Sequence, residues 1–249
     1  GNCQHCYKGN LATAENIYMP FIIYKNIIDK VAANKILCQC ALGITDIDSN
    51  PDLWKIMEYT RSIGAIPNIT VNGRNISDDH INKLASLCGA VSVSHYNDND
   101  CYGTVKRLTE AKKNAGSTLQ QVNIHVLCAA ETLDKCYSVI KAAKEDDRLK
   151  DLGAVVLMTL KPKGSRNTLT PLNSLDKFRE LFKFATDCGV LVGMDSCAAP
   201  LTFKAIEKLG MMNVAPSVES CESSIFSSYI NVLGDFFPCS FSEGIGEWK

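Results

Sequence analysis

The chain has no excess of charge of either sign. Over 249 residues, 26 Lys and Arg stand against 27 Asp and Glu, a formal net charge of −1. So balanced a chain has no general attraction for nucleic acid or anionic lipid. No apolar run approaches the roughly 20 residues of a membrane-spanning helix. The richest, 154–160, is strand-sized. Neither nucleic acid nor a membrane is therefore expected as a partner. A signal-peptide pattern, internal repeats and low-complexity tracts are all missing from the sequence. It also lacks an initiator Met, opening Gly1-Asn2-Cys3, so a missing upstream piece is expected.

Cysteine, by contrast, is abundant, with 12 residues. In a small secreted domain that density would mean a disulfide scaffold. This chain is 46% hydrophobic and long enough to build its own core. The expectation is a reducing, cytoplasmic compartment with some thiols used as metal ligands. Cys38, Cys40 and Cys128 lie in apolar runs and read as small buried hydrophobes. Cys88, Cys136 and Cys188 follow helical spacing and read as structural. Cys101, after Asp98-Asn99-Asp100, is expected on an accessible loop.

Strand-like and helical patterns alternate. Apolar β-prone runs occur at 35–43, 65–71, 89–95, 120–128, 153–160 and 190–195. Helical patterns lie at 52–63, 77–87, 102–115, 131–144 and 175–188, the second opening Ser77-Asp78-Asp79 with acids in its first turn. Such alternation implies right-handed βα units and a parallel sheet. About six units are too few for a closed eight-fold barrel, so the fold class expected is α/β, an open or partial (β/α)6 barrel. Ligands of such folds bind at the C-terminal ends of the strands. After residue 195 the pattern changes. A short helix at 201–209 precedes two β-prone runs flanking Leu233-Gly234-Asp235, a hairpin signal. The expected division is a core of 1–195 and a small extension of 196–249.

The residues that carry chemistry begin with Cys3-Gln4-His5-Cys6-Tyr7. Two thiolates three apart can converge on one metal, and taken alone the pair fits half a zinc site, a redox dithiol or part of a cluster loop. No second C-x-x-C completes a zinc ribbon. The pair precedes the first helix of a parallel series, where such folds do chemistry.

In this context the sequence resembles the radical S-adenosylmethionine (SAM) superfamily, whose signature is C-x-x-x-C-x-aromatic-C after the first strand. Cys3 and Cys6 match its second and third cysteines; His5 fills the position before the last, and Tyr7 follows it. The first cysteine would fall two residues before Gly1, so the chain is read as truncated, with the first strand also lost. A second likeness is Gly43-Ile44-Thr45-Asp46 followed by Asn50-Pro51-Asp52-Leu53. It resembles the family's G-G-E-P and N-P-D-L segments, with Asp46 at the acidic position and Ile44 and Thr45 in place of glycines. Thr70-Val71-Asn72-Gly73 is similar to T-T-N-G. Ser94-His95-Tyr96 resembles an S-L-D-G strand end. Lys161-Pro162-Lys163-Gly164 resembles K-P-x-G, with no catalytic role assigned to Lys161. Near the C-terminus, Cys221, Gly234 and Cys239 have the spacing of the first half of the SPASM or twitch motif, C-x(9–15)-G-x(4)-C, and Cys197 could supply a third ligand.

The resemblance implies a set of expectations. Cys3 and Cys6 would hold a four-iron four-sulfur (4Fe-4S) cluster. His5, Gly43, Asp46, Thr70, Asn72 and Ser94 would contact SAM. Cys197, Cys221 and Cys239 would bind an auxiliary 4Fe-4S cluster. The reduced cluster would cleave SAM to methionine and a 5′-deoxyadenosyl radical that takes hydrogen from a substrate, with peptide or protein modification preferred and a reductant such as flavodoxin or ferredoxin. The alternatives are a non-catalytic iron–sulfur or zinc-binding barrel protein, and a metal-free αβ-barrel enzyme. His95, at a strand end, is expected to touch substrate, His125 to be an interior barrel residue, and His80 to lie on a helix surface.

Overall fold

A computed structural model of the chain describes residues 5–8, 17–33, 36–164 and 166–245. Six strands follow one another through one sheet in sequence order: β1 (Gln39–Leu42), β2 (Ile66–Val71), β3 (Ala90–Ser94), β4 (Gln121–Cys128), β5 (Ala154–Thr159) and β6 (Val192–Met194). The printed registers of β1 with β2, β2 with β3 and β5 with β6 are parallel. Helices α1 (Phe21–Ala32), α2 (Leu53–Ser62), α3 (Asp78–Leu87), α4 (Asp98–Ala111), α5 (Leu133–Glu145), α6 (Leu175–Cys188) and α7 (Ala199–Lys208) alternate with them. All six expected strands are present, so the α/β class is borne out. Strands β7 (Tyr229–Ile230) and β8 (Phe236–Phe237) pair antiparallel as the expected hairpin. Among the described residues no helix is long and apolar enough to cross a membrane.

The chain divides into two compact units, Gly1–Ala12 with Ile124–Ser228, and Thr13–Asn123 with Tyr229–Lys249. In the second, Tyr24 and Ile28 of α1 are buried with Ile56 of α2, and Leu42 and Cys40 of β1 pack against them. Helix α1 has no side-chain cap of its own, because Pro20 stands at its N-cap. Asp52 substitutes: its carboxylate accepts the Phe21 N–H at 2.8 Å. Asn50 holds that loop, accepting from Asp52 N–H at 2.9 Å and donating to Met19 O at 3.1 Å. The Asn50-Pro51-Asp52 segment thus starts two helices at once. Asp52→Ala should destabilise α1 by about 1 kcal/mol, as loss of an N-cap does. Hydrogen exchange of the first-turn amides of α1 should accelerate, and unchanged exchange there would remove the capping role.

Several local expectations are corrected. Helix α4 begins at Asp98 because Asn97 caps it, accepting from Asp100 N–H at 3.0 Å. That early start turns Cys101 into the core, fully buried. His80 is not a free surface residue. Its Nδ1 accepts from Ser77 N–H at 3.2 Å, completing a capping box, and its ring stacks on Trp54 at 5.7 Å. Cys38 is exposed, because β1 starts one residue later at the edge of the sheet, whereas Cys128 is buried. Cys88 and Cys136 are buried structural thiols as expected.

The hairpin is organised by Asn231, a buried residue to which the sequence reading gave no role. Its side-chain oxygen accepts from Leu233 and Asp235 N–H at 3.0 and 2.9 Å, while its amide donates to Asp235 and Glu243, both at 3.0 Å. Gly234 takes the turn at φ +92°, a backbone region that L side chains rarely enter.

Candidate functional site

In the unit that holds β1 to β3, strand register decides which side chains share a face. Leu42 pairs with Ile69 and Thr70 with Ser92, and one step on, Val71 pairs with Val93. Continuing these rows sets Gly43 beside Thr70, and Asn72 beside Ser94. Side chains alternate along a strand, so Thr70, Asn72 and Ser94 share the face opposite the buried Ile69, Val71, Val91 and Val93. Thr70, Asn72 and Ser94 are half-buried and Gly43 is exposed, all at the C-terminal ends of their strands. Asp46, half-buried in the loop after β1, joins the row by accepting from Asn72 Nδ2 at 2.5 Å. The same Nδ2 lies 3.2 Å from Thr45 O, and Asn72 Oδ1 accepts from Arg74 N–H at 2.9 Å. Asn72 therefore ties two adjacent strand ends and keeps a carboxylate at the edge. Beside them Arg74 lies over the Tyr96 ring at 5.4 Å, a pair the sequence did not disclose. His95 turns inward: it contacts Asp98 at 2.9 Å and Tyr102 at 5.4 Å, with its side chain only 3% exposed. It is buried against α4 rather than presented to substrate.

In the other unit, His5 and Cys6 are half-buried. Burial and the Lys135 cation hold the His5 imidazole below its ordinary pKa. Gly164, in the loop after β5, meets the main chain of this segment: a side-chain carbon there would clash with the Cys6 carbonyl oxygen and lie 3.3 Å from Tyr7 Cα. At the ends of β5 and β6 sits a polar cluster missed by the sequence reading. The Lys161 ammonium contacts Asp195 and donates to Thr159 O at 2.9 Å and Thr159 Oγ1 at 2.7 Å. Asp195 in turn accepts from Thr159 N–H at 3.0 Å and Thr159 Oγ1 at 2.7 Å. His125 of β4 is half-buried, an interior residue as expected, and burial pushes its pKa down to about 4 against the opposing pull of Asp195.

Cys3 lies outside the described residues. Of the expected auxiliary set, Cys197 and Cys221 are exposed in one unit, and Cys239 is half-buried in the other. Among the described residues no three His, Cys, Asp or Glu side chains are grouped to hold a metal ion.

No protein-family model matches the chain, and no curated protein matches it in sequence. Solved structures do match. The chain superposes on Streptococcus suis SuiB bound to the precursor peptide SuiA with a TM-score of 0.72 at 14% identity, covering 100% of this chain and 58% of that one. For SuiB alone the values are 0.66, 14%, 99% and 59%. For SuiB bound to S-adenosylmethionine they are 0.63, 13%, 98% and 57%. The chain thus spans under two thirds of the SuiB length. Its fold is similar to that part of SuiB, a protein that has been crystallised with S-adenosylmethionine and with a precursor peptide.

Proposed function

We propose that this chain is the core of a radical SAM enzyme that modifies a peptide. The observation that carries this reading is the row of Gly43, Thr70, Asn72 and Ser94 with Asp46, at the strand ends where parallel α/β folds bind ligands. These are the residues for which the sequence resemblance implied SAM contacts, and the similar SuiB fold binds S-adenosylmethionine. The peptide class rests on the SuiA complex of that similar fold.

The roles follow from the chemistry of each group. Asp46, held by the Asn72 amide, would accept from the SAM ammonium. No described atom lies within 4 Å of where a side-chain carbon would stand at Gly43, so a ligand would find open space at this strand end. Ser94 offers a hydroxyl donor to the carboxylate or ribose. Thr70 lines the same row, and His5, on the segment that carries Cys6, would contact SAM as the resemblance implies. Cys6, together with Cys3, would hold a 4Fe-4S cluster. The half-buried Cys6 thiol, on a loop packed against a glycine where no side chain fits, suits a ligand of that kind. When bound, the cluster supplies the electron for reductive cleavage of the SAM sulfonium bond. The protein's task is to hold SAM and peptide in register and keep water from the radical. In this reading residues 1–195 form the core. The 196–249 extension carries Cys197, Cys221 and Cys239 for an auxiliary 4Fe-4S cluster, and a flavodoxin or ferredoxin in the cytoplasm supplies electrons.

Anaerobic reconstitution tests the proposal. The full-length protein should develop iron–sulfur charge-transfer absorption and form 5′-deoxyadenosine from SAM under reduction. Cys6→Ala should drop that product to background while the helical circular dichroism stays. A cluster indifferent to SAM would favour the non-catalytic iron–sulfur reading, and a colourless protein the metal-free one.

A further inference from the structure

We infer that Lys161, Asp195 and Gly164 form a clamp that positions the Cys6 loop. The inference deepens the reading above, in which Cys6 is a cluster ligand. Two observations carry it. The first is the Gly164 contact. This residue sits at φ +102°, and its Cα faces the Cys6 carbonyl, with Cys6 C at 3.2 Å from where a side-chain carbon would stand. Main chain meets main chain, so any other residue would push the Cys6 segment away.

The second is how firmly the loop bearing Gly164 is held. At its start, Leu160 N–H donates to Cys128 O at 3.1 Å. The next residue, Lys161, is tied to Asp195 and to both Thr159 oxygens. At its far end, Ala130 N–H donates to Thr170 O at 2.9 Å, and Thr170 N–H donates to the Glu131 carboxylate at 2.9 Å. Within the loop, Lys163 N–H bonds Lys161 O at 2.7 Å and Asn167 N–H bonds Gly164 O at 3.2 Å. Lys161 and Asp195 are only 17% and 12% exposed. A lysine has three donors, and all three of Lys161 have acceptors here. Such a group is built to hold position rather than to transfer a proton. Cutting the Lys161 anchor frees the start of the loop, and with it the surface on which Cys6 rests. Lys161, Asp195 and Gly164 are positioning residues that act through Cys6.

The test reads the Cys6 thiol directly, in the full-length protein before any cluster is loaded. Alkylation by iodoacetamide is followed at Cys6 by peptide mass spectrometry, with the exposed Cys221 as internal reference. Gly164→Ala and Lys161→Met should each speed Cys6 alkylation about fivefold or more, the factor expected when a loop loses one anchoring interaction. Cys221 should not change, and Lys161→Arg, which keeps a cation beside Asp195, should stay closer to the parent. Reconstituted Gly164→Ala should show an altered electron paramagnetic resonance signal of the reduced cluster. Circular dichroism checks the fold, and Gly164→Ala decides if Lys161→Met loses its helical signal. Parent-rate alkylation of Cys6 in Gly164→Ala and in every folded Lys161→Met sample overturns the clamp. A Cys6→Ala protein that keeps its full cluster overturns the ligand reading instead, and leaves the alkylation result to decide the clamp.

Discussion

Asp195→Leu in a chain that keeps Lys161 should lose about 3 kcal/mol of unfolding free energy, the lower end of the range for breaking a buried pair because both partners keep some exposure. The loss comes from the charge left behind. Removing the carboxylate strands an ammonium among strand ends and also frees Thr159 N–H and its hydroxyl. The double variant Lys161→Met/Asp195→Leu leaves no charge stranded and should cost clearly less than the two single changes added together. Denaturant titrations of the four proteins, with the slope unchanged, measure the coupling. Additive losses would mean that the pair has no mutual dependence.

The second large effect belongs to pH. His125 has its pKa pushed from 6.5 down to about 4 by burial. Between those values the unfolded chain binds a proton at this residue that the folded chain refuses, so stability rises with pH across the window. The contribution is complete above about pH 6.5 and falls away as pH drops towards 4. A shift of that size corresponds to about 3 kcal/mol. His125→Gln should remove this slope, so that between pH 7 and pH 4 the parent loses about 3 kcal/mol more stability than the variant does. Equilibrium unfolding at the two pH values checks it, and parallel pH profiles would show that the imidazole titrates freely.

What could be read from the sequence was what lies close in the chain or repeats along it. The strand at 153–160 is a short apolar run, and its observed span is Ala154–Thr159. The turn at Gly234 is encoded by neighbouring residues. The row from Gly43 to Ser94 could be named because each residue ends a strand, and strand ends are visible in the pattern. Partners far apart could not be named. Lys161 and Asp195 are 34 positions apart, and neither carries a local mark of the other. Caps caused the other errors. Asn97 starts α4 before the apolar periodicity begins, which hid the burial of Cys101 and the inward turn of His95. His80 was misjudged because a histidine seldom completes a capping box with Ser, so its neighbours suggested only a solvated helix start.

Strands that follow sequence order have a consequence for how the chain folds. Gln39 pairs with Ile66, Asn68 with Ala90, and Val155 with Val192, separations of 27, 22 and 37 residues. Each of these pairings closes one strand–helix excursion and no more. The entropy of closing a loop grows only slowly with its length, so each of these steps carries a similar and modest penalty. Each pairing spans only a small part of the chain, which holds contact order down for a parallel sheet. These pairings also suit synthesis from the N-terminus: β1 can pair as soon as β2 has emerged, without waiting for any later strand. Assembly by successive addition is thus written into the order of the sheet.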